Sequence, residues 1–330
     1  MKYDKKGKYQ VRAGKTLRLF LTLTLLVAMA PLEAMAQTAP TASHHPQGSY
    51  QALPGGRIWV ESEGEGIPLL LIAGGPGMAH DYFHPYFSTL SSTRHRVLYF
   101  DALGRGKSDR AAKAMEYTFT RDVEEVEALR KALGITKMDI LGHSYGTLVA
   151  QAYALKYPQA VSRLVLISPL HSGAAWQASN DLINSQIEKT MPDVWKKLQS
   201  LRSKGLRSSS PEHSQAYRTP PGLYFHRPPG GPLPLGVNSD VYYAIAGDDA
   251  DFVIGGEIAT LDFRPQLESL AAPLLVLSGR HDRIALPDRV LEYRTRAPRA
   301  EVVIFEQSAH FPFIEETEAV IERIRKFLAE

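Results

Sequence analysis

Short and nearly continuous apolar runs alternate with amphipathic segments along most of this chain. A strand buried on both faces is apolar at every position, and helices between such strands indicate a parallel sheet covered on each side. The runs lie at residues 57–60, 68–73, 97–100, 138–141, 164–167, 274–277 and 302–305. The pattern therefore predicts an α/β fold, with a mostly parallel sheet and helices on both of its faces.

Three segments have the apolar period of a helix. Residues 120–133 place apolar side chains on one face, and Thr120 is the candidate N-cap. Residues 145–157 follow an apolar run directly, and residues 315–328 combine an apolar stripe with a charged face. We expect helices in all three places.

The stretch from residue 171 to residue 262 interrupts this alternation. It has helical segments around 176–201 and a Pro/Gly/Tyr-rich piece at 220–234, without a clear buried strand. A disordered linker is the alternative, but the stretch is rich in aromatic side chains, which favours a packed structure. Ligands of open α/β sheets bind at the carboxyl ends of the strands. We therefore predict a mainly helical cap at 171–262, inserted between core segments 49–170 and 263–330.

The N-terminal segment is typical of a secretory signal peptide. Residues 2–18 are basic, residues 19–30 are apolar, and an A-x-A-like site ends at Ala36. A retained membrane anchor is the alternative, but the apolar run is shorter than the roughly 20 residues that span a bilayer. We predict a signal peptide at 1–36 and a flexible lead-in at 37–48. This predicts export, to a periplasm first and to the extracellular space as the second choice.

Charge and cysteine content exclude several classes of function. The chain has 38 Lys and Arg against 35 Asp and Glu, and the first 36 residues hold seven of the former and two of the latter. Without them the basic residues number 31 and the acidic ones 33, so the basic excess belongs to the export signal and implies no nucleic-acid partner. There is no cysteine, which excludes disulfides and thiol catalysis.

A candidate nucleophile lies between an apolar run and a predicted helix. Gly142 to Gly146 read G-x-S-x-G, with Ser144 at the centre. Such a strand–turn–helix exposes the serine hydroxyl at the edge of the sheet, and its glycines allow a very tight turn. The pattern alone is common in loops, so a base, an acid and an oxyanion hole are needed to support it.

The base and the acid each have a candidate just past a predicted strand. Asp282 follows the run at 274–277, and His310 follows the run at 302–305. A serine hydroxyl needs a histidine base that a carboxylate holds in the right tautomer. Asp282 could instead cap a helix, and His281 could be the functional histidine, but it adjoins Asp282 and would project differently. We assign Ser144, Asp282 and His310 as the predicted triad.

An oxyanion hole requires main-chain N–H groups aimed at the developing negative charge. One candidate is Tyr145, which follows the serine, and the other is Gly75, in a Gly/Pro-rich loop after the run at 68–73. Residues 101–109 look only loosely like a phosphate loop, and no His/Asp/Glu spacing suggests a metal site. We therefore expect neither a metal nor a cofactor.

These motifs together resemble the α/β-hydrolases, whose triads follow the chain order serine, acid, histidine. Within that superfamily the chain is similar to the proline iminopeptidases. Their H-G-G-P-G motif matches residues 73–77, and their D-x-x-G-x-G-x-S matches residues 101–108. Ala73 replaces the usual first histidine.

The resemblance implies a serine peptidase whose cap holds the free ammonium of the substrate with acidic residues. It assigns substrate binding to Asp251, to Glu257 as a weaker candidate, and to Gly74 in the glycine-rich loop. We expect an exported serine hydrolase that releases an N-terminal residue from small peptides. An esterase or small-amide hydrolase without an amine requirement and a catalytically silent ligand-binding protein are the alternatives. The oligomeric state stays open.

Overall fold

A computed structural model describes residues 48–92 and 94–329, which form one eight-stranded sheet. The strands are β1 (Ser49–Leu53), β2 (Gly56–Glu63), β3 (Ile67–Ile72), β4 (His95–Asp101), β5 (Met138–His143), β6 (Val161–Ile167), β7 (Leu274–Gly279) and β8 (Glu301–Phe305). Their order is β1-β2-β4-β3-β5-β6-β7-β8. β2 pairs antiparallel with both of its neighbours, β1 and β4, and the other five neighbouring pairs are parallel, which confirms the mostly parallel sheet. The predicted signal peptide and lead-in, except for Gly48, lie outside the described residues.

β3 illustrates why the central strands are rich in apolar residues: it contributes to two cores. In β3, Leu70 packs in the core on one face of the sheet, whereas Leu69 and Leu71 pack in the core on the other. Side chains of a strand point alternately to the two faces, so both sets are buried. This is the reason why the sequence shows continuous apolar runs instead of alternation.

Ten helices, with short 3₁₀ turns, complete the described part of the chain. They are α1 (Phe119–Ala132), α2 (Tyr145–Lys156), α3 (Gly173–Thr190), α4 (Pro192–Arg202), α5 (Pro211–Ala216), α6 (Ser239–Ala246), α7 (Pro287–Leu291), α8 (Tyr293–Arg296), α9 (Pro312–Glu315) and α10 (Thr317–Ala329). Apolar residues of α1, α2, α7 and α8 lie in one core, and those of α10 lie in the other. Helices therefore cover both faces, as predicted.

Three details differ from the sequence-based expectations. Thr118, not Thr120, caps α1, because its hydroxyl oxygen accepts the N–H of Arg121. The final helix begins at Thr317, two residues after its predicted start, because the chain leaves helical geometry at Glu316 after the short α9. β1 was not predicted, because its sequence SYQAL is half polar and exposed at the sheet edge.

The segment predicted as a cap contains α3 to α6, and its two ends meet. Ser172 and Asp262 form an isolated bridge, and the N–H of Gly173 donates to the carbonyl of Leu261. α3 and α4 are separate because Pro192 starts a new helix. The segment also reaches the glycine-rich loop, where the N–H of Asn238 donates to the carbonyl of Gly77. In the ranges 48–92 and 94–329, no helix is long and apolar enough to cross a bilayer.

Candidate active site

Ser144 occupies a strained turn between β5 and α2. Its φ is 55° and its ψ is −124°, a conformation that L-residues rarely adopt. A Cβ on Gly142 would lie 2.5 Å from the carbonyl oxygen of Gly146, and one on Gly146 would lie 2.2 Å from that of Ile72. Both glycines are therefore required by close main-chain approaches, and the turn holds the serine hydroxyl at the carboxyl edge of the sheet.

The structure brings Ser144, His310 and Asp282 together. Ser144 Oγ lies 2.9 Å from His310 Nε2, and His310 Nδ1 lies 3.0 Å from Asp282 Oδ2. Because the carboxylate can only accept, Nδ1–H donates to it and Nε2 accepts the serine O–H. Asp282 Oδ1 also accepts the N–H groups of Ile284 and Ala285, at 2.8 and 2.9 Å, so the carboxylate is fixed from a second side.

The main chain of His310 is held from three directions. Its N–H donates to the carbonyl of Tyr224, a residue of the inserted segment. Its carbonyl oxygen accepts from Ser168 Oγ and from His143 Nε2, both at 3.0 Å. The position of the imidazole therefore depends on the cap segment, on the end of β6 and on the serine turn.

A chain of buried hydrogen bonds connects the loop of His310 to the glycine-rich loop. His143 Nε2 donates to the carbonyl of His310, so its Nδ1 accepts from Tyr82 Oη at 2.9 Å. Tyr82 Oη in turn accepts the N–H of Gly74 at 2.8 Å. Burial is the main reason, and the nearby His310 the second, why the pKa of His143 lies well below its usual range. The ring therefore stays neutral and keeps this tautomer.

The two candidate oxyanion donors both lie beside Ser144. Gly75 lines the same cavity as Ser144, and Tyr145 is the first residue of α2. Within the described ranges, the N–H groups of Gly75 and Tyr145 have no hydrogen-bond acceptor. An N–H at a helix N-terminus also benefits from the positive end of the helix dipole. The arrangement suits a negatively charged oxygen next to the serine.

The side chain of Tyr145 is anchored in a buried ionic cluster. Its hydroxyl donates to Asp122 Oδ2 at 2.7 Å, and Arg105 forms two hydrogen bonds with the same carboxylate, at 2.9 and 2.5 Å. Arg105 Nη1 also donates to the carbonyl of Leu103. Because such a bidentate pair is rigid, the cluster fixes the start of α2 and therefore the N–H of Tyr145.

A cavity of about 310 Å³ joins Ser144 and His310 to the inserted segment. Aromatic side chains of that segment line it: Trp176, Tyr217, Tyr224, Tyr242 and Tyr243. Asp251 lines it as well, and burial, which outweighs the hydrogen bond from Ser208, raises the pKa of its carboxyl to about 6. The salt bridges of the described residues give Asp251 one basic neighbour, the imidazole of His213 at 3.8 Å. Burial lowers the pKa of that histidine, so it adds little positive charge at neutral pH.

Two residues predicted to bind substrate have other contacts. Glu257 is exposed and outside the cavity lining, and its Oε2 accepts the N–H and the hydroxyl of Thr120 at the start of α1. The carboxylate accepts one N–H and one hydroxyl at the start of a helix, so in this structure it is not placed to bind a ligand in the cavity. The N–H of Gly74 donates to Tyr82 Oη, and Gly74 lies outside the cavity lining. A Cβ there would lie 3.0 Å from that of Ser144, so Gly74 permits a close approach instead of holding substrate.

Sequence reasoning missed the residues that hold the site together. His143 occupies the variable position of G-x-S-x-G, and Tyr82 and Asp122 lie 62 and 22 positions before Ser144, with no predicted role. These residues are distinguished only by being buried and hydrogen-bonded, and both properties require the three-dimensional structure.

The fold and the site define an α/β protein of the hydrolase type, in which hydrogen bonds connect a serine, a histidine and an aspartate in that order. The chain belongs to the α/β-hydrolase fold family, whose model matches residues 67–317. It is similar to the proline iminopeptidase of Heyndrickxia coagulans, with 31% identity over 83% of this chain and 96% of the relative. The proline iminopeptidase of Saccharolobus solfataricus is 30% identical over 81% of this chain and 86% of that protein.

A solved structure gives the same fold. The proline iminopeptidase of Mycobacterium smegmatis superposes with a TM-score of 0.67 at 22% identity, over 86% of this chain and 98% of the other. The chain is therefore an α/β-hydrolase similar to proline iminopeptidase.

Proposed function

We propose that this protein is a serine aminopeptidase of the proline iminopeptidase type, which releases the N-terminal residue of a small peptide through an acyl-enzyme. The observation that carries the proposal is the carboxylate of Asp251, which shares one cavity with Ser144 but has no Lys or Arg in a salt bridge among the described residues. A buried charge without a countercharge is costly, and a substrate ammonium would supply that countercharge. The similarity to proline iminopeptidases supports the same reaction.

The chemical steps follow from the hydrogen bonds of the site. Ser144 Oγ attacks the scissile carbonyl carbon while His310 Nε2 takes its proton, and the imidazolium is stabilised by Asp282. The N–H groups of Gly75 and Tyr145 stabilise the tetrahedral oxyanion. His310 then protonates the leaving amine, and the acyl group stays on Ser144. Water, deprotonated by His310, attacks this ester and releases the N-terminal residue.

Asp251 would orient the substrate instead of reacting with it. A charge-assisted hydrogen bond from the N-terminal ammonium places the first residue of the peptide in the aromatic cavity. Fixing that end positions the first carbonyl carbon at Ser144, which lowers the entropic part of the barrier. We expect release of a single residue, because the ammonium held by Asp251 and the carbonyl attacked by Ser144 would belong to the same residue.

The decisive experiment compares aminoacyl anilides, their N-acetylated forms and short acyl esters as substrates. We expect turnover of the free-amine anilides and loss of that turnover when the amine is acetylated. In the Asp251→Asn variant, kcat/KM should fall at least tenfold for the anilides but little for the esters. Glu257→Gln is the matched control, since this carboxylate lies outside the cavity, and it should keep the amine preference. Equal rates on free and acetylated anilides would instead favour an esterase or small-amide hydrolase with no amine requirement.

We also propose that the protein is exported, with cleavage after Ala36. The basic segment, the short apolar run and the A-x-A site of residues 1–36 support this location. Expression of the full chain in a Gram-negative host, followed by fractionation and N-terminal sequencing, tests it. A mature protein that begins at Gln37 in the periplasm is the expected result. An uncleaved N-terminus in the cytoplasm contradicts it.

A further inference from the structure

Three buried metal-ligating side chains converge at a place that the catalytic groups do not use. Glu61 lies on β2, and His80 and His84 lie on the segment that follows the glycine-rich loop. Their side chains are 0, 0 and 2% exposed, and one ligand atom of each lies within 4.8 Å of those of the other two. No spacing pattern in the sequence indicates this cluster, because Glu61 lies 19 positions before His80. None of the three lines the cavity that holds Ser144.

The separations of the ligand atoms match those around a tetrahedral ion. Glu61 Oε2 lies 3.2 Å from His80 Nε2 and 3.5 Å from His84 Nε2. Two ligands at the ordinary zinc distances of about 2.0–2.1 Å are separated by roughly 3.3 Å in a tetrahedron. The donor set, two imidazoles and one carboxylate, is one that zinc accepts in proteins.

A second carboxylate fixes His80 in the tautomer that a metal requires. Asp101 Oδ1 lies 2.8 Å from His80 Nδ1 and also accepts the main-chain N–H of His80. Nδ1 therefore carries a proton, and Nε2 faces Glu61. Carboxylate–histidine–metal arrangements of this kind orient the ligating ring and raise its basicity.

A positive charge is needed between His80 Nε2 and Glu61 Oε2, because two lone pairs would repel at 3.2 Å. A proton on Nε2 would supply this charge if the N–H pointed at the oxygen. However, the contact lacks hydrogen-bond geometry: His80 Nε2 forms no hydrogen bond within the described ranges. A metal ion between the two atoms would bind the lone pair of Nε2, so no N–H has to point at the oxygen.

We propose that Glu61, His80 and His84 form a binding site for a divalent transition-metal ion of the zinc type. Lys107 Nζ lies 3.0 Å from Glu61 Oε1, whereas Oε2 is the oxygen that lies nearest the two imidazoles. The ion would join β2 to the turn that begins three residues after Gly77, the end of the glycine-rich loop. Its role is to stabilise this junction, and it takes no part in the proposed hydrolysis.

The test uses tag-free protein stripped with a chelator and titrated with ZnCl₂, with MgCl₂ in parallel. We expect one tightly bound Zn²⁺ per chain by calorimetry and elemental analysis. At a hundredfold excess of Zn²⁺ over its Kd, the midpoint of thermal unfolding should rise by roughly 5 °C or more. Mg²⁺ should have no effect, because it prefers oxygen ligands. Absence of stoichiometric Zn²⁺ binding to the wild type overturns the proposal.

Two variants assign the site. His84→Phe keeps a ring against Tyr99, whose centroid lies 4.1 Å away, and should weaken Zn²⁺ binding at least tenfold. His226→Ala is the control, since His226 stacks on His281 at the surface, where zinc could bind adventitiously. Unchanged affinity in His84→Phe, or loss in His226→Ala alone, overturns the assignment. Fluorophosphonate labelling shows whether each variant is folded. If His84→Phe is not, Co²⁺ bound to the wild type decides, because a tetrahedral site gives strong visible bands and an octahedral surface site does not.

Discussion

His143 Nε2 lies 3.0 Å from the main-chain oxygen of His310, which ties the serine turn to the loop that carries the proposed base. The other nitrogen of the same ring accepts from Tyr82, whose hydroxyl holds the N–H of Gly74. One neutral imidazole thus sets the spacing between three loops that must act together. Because all of these groups are buried, each bond that is lost leaves a polar atom without a partner.

We predict that His143→Phe lowers kcat by roughly 10- to 100-fold with little change in KM. Phenylalanine keeps the aromatic packing, including the ring of Phe313 at 5.2 Å, but removes both hydrogen bonds. Stability should fall by about 1–3 kcal/mol. Steady-state kinetics and denaturant unfolding measure the two effects.

Tyr82→Phe and the double variant complete this test. If the hydrogen bonds act as a unit, the effects of the two single changes on kcat should sum to more than the effect of the double change. Additive effects would mean that His143 and Tyr82 hold their loops independently.

Ser144→Ala is expected to abolish labelling by a fluorophosphonate probe and all turnover above background. Asp282→Asn should lower kcat by about 10⁴-fold, since an amide can donate to His310 Nδ1 and favour the wrong tautomer. Asp288→Asn is the matched control, because this aspartate lies in the first turn of α7 and its side chain is 73% exposed. Labelling that persists in Ser144→Ala would show that another residue is the nucleophile.

Removing the hydroxyl of Tyr145 tests whether its ionic anchor supports the oxyanion hole. We expect Tyr145→Phe to lower kcat severalfold or more, since the start of α2 loses its fixed contact with Asp122 while the N–H of residue 145 remains. Tyr157→Phe is the control: this tyrosine ends α2 and donates to the partly exposed Glu124. Equal kcat values for both variants and the wild type would restrict Asp122 and Arg105 to a purely structural role.

The sequence was sufficient for the sheet and for the three side chains that meet at the candidate active site. Strands such as β3 and β7 are buried on both faces, so their apolar runs are unambiguous. Gly142, Ser144 and Gly146 lie in one short turn, so their pattern can be read within five positions, although Ile72 also packs against Gly146. These predictions succeeded where the pattern lies within one short segment of the chain.

What the sequence could not give depends on contacts between distant segments. Glu257 was a plausible amine ligand by charge, but the start of α1, 137 positions away, takes its carboxylate. His143 and Tyr82 are separated by 61 positions, so no spacing rule indicates their hydrogen bond. β1 has too few apolar positions to be recognised, and it exists because β2 offers an edge to pair with.

We expect the carboxylate of Asp251 to lower the free energy of unfolding at neutral pH, because the role proposed for it requires a buried negative charge. Its pKa is about 6 in the folded protein, against an ordinary value of 3.8, so folding favours the protonated form. The contribution of this group to the free energy of unfolding is therefore fully present below pH 4 and is lost as the pH rises through 6. A shift of two pKa units corresponds to roughly 2–3 kcal/mol.

We therefore predict that Asp251→Asn raises the free energy of unfolding by up to about 2–3 kcal/mol at pH 7.5 relative to wild type, and by little at pH 4. Asparagine keeps the shape but carries no charge to desolvate. Urea unfolding of both proteins at the two pH values measures the difference, and Asp240→Asn, exposed on α6, controls for the loss of one negative charge. A stability difference between Asp251→Asn and wild type that does not grow between pH 4 and pH 7.5 would show that the carboxylate is already compensated in the free protein. In that case a substrate ammonium would gain little by binding there.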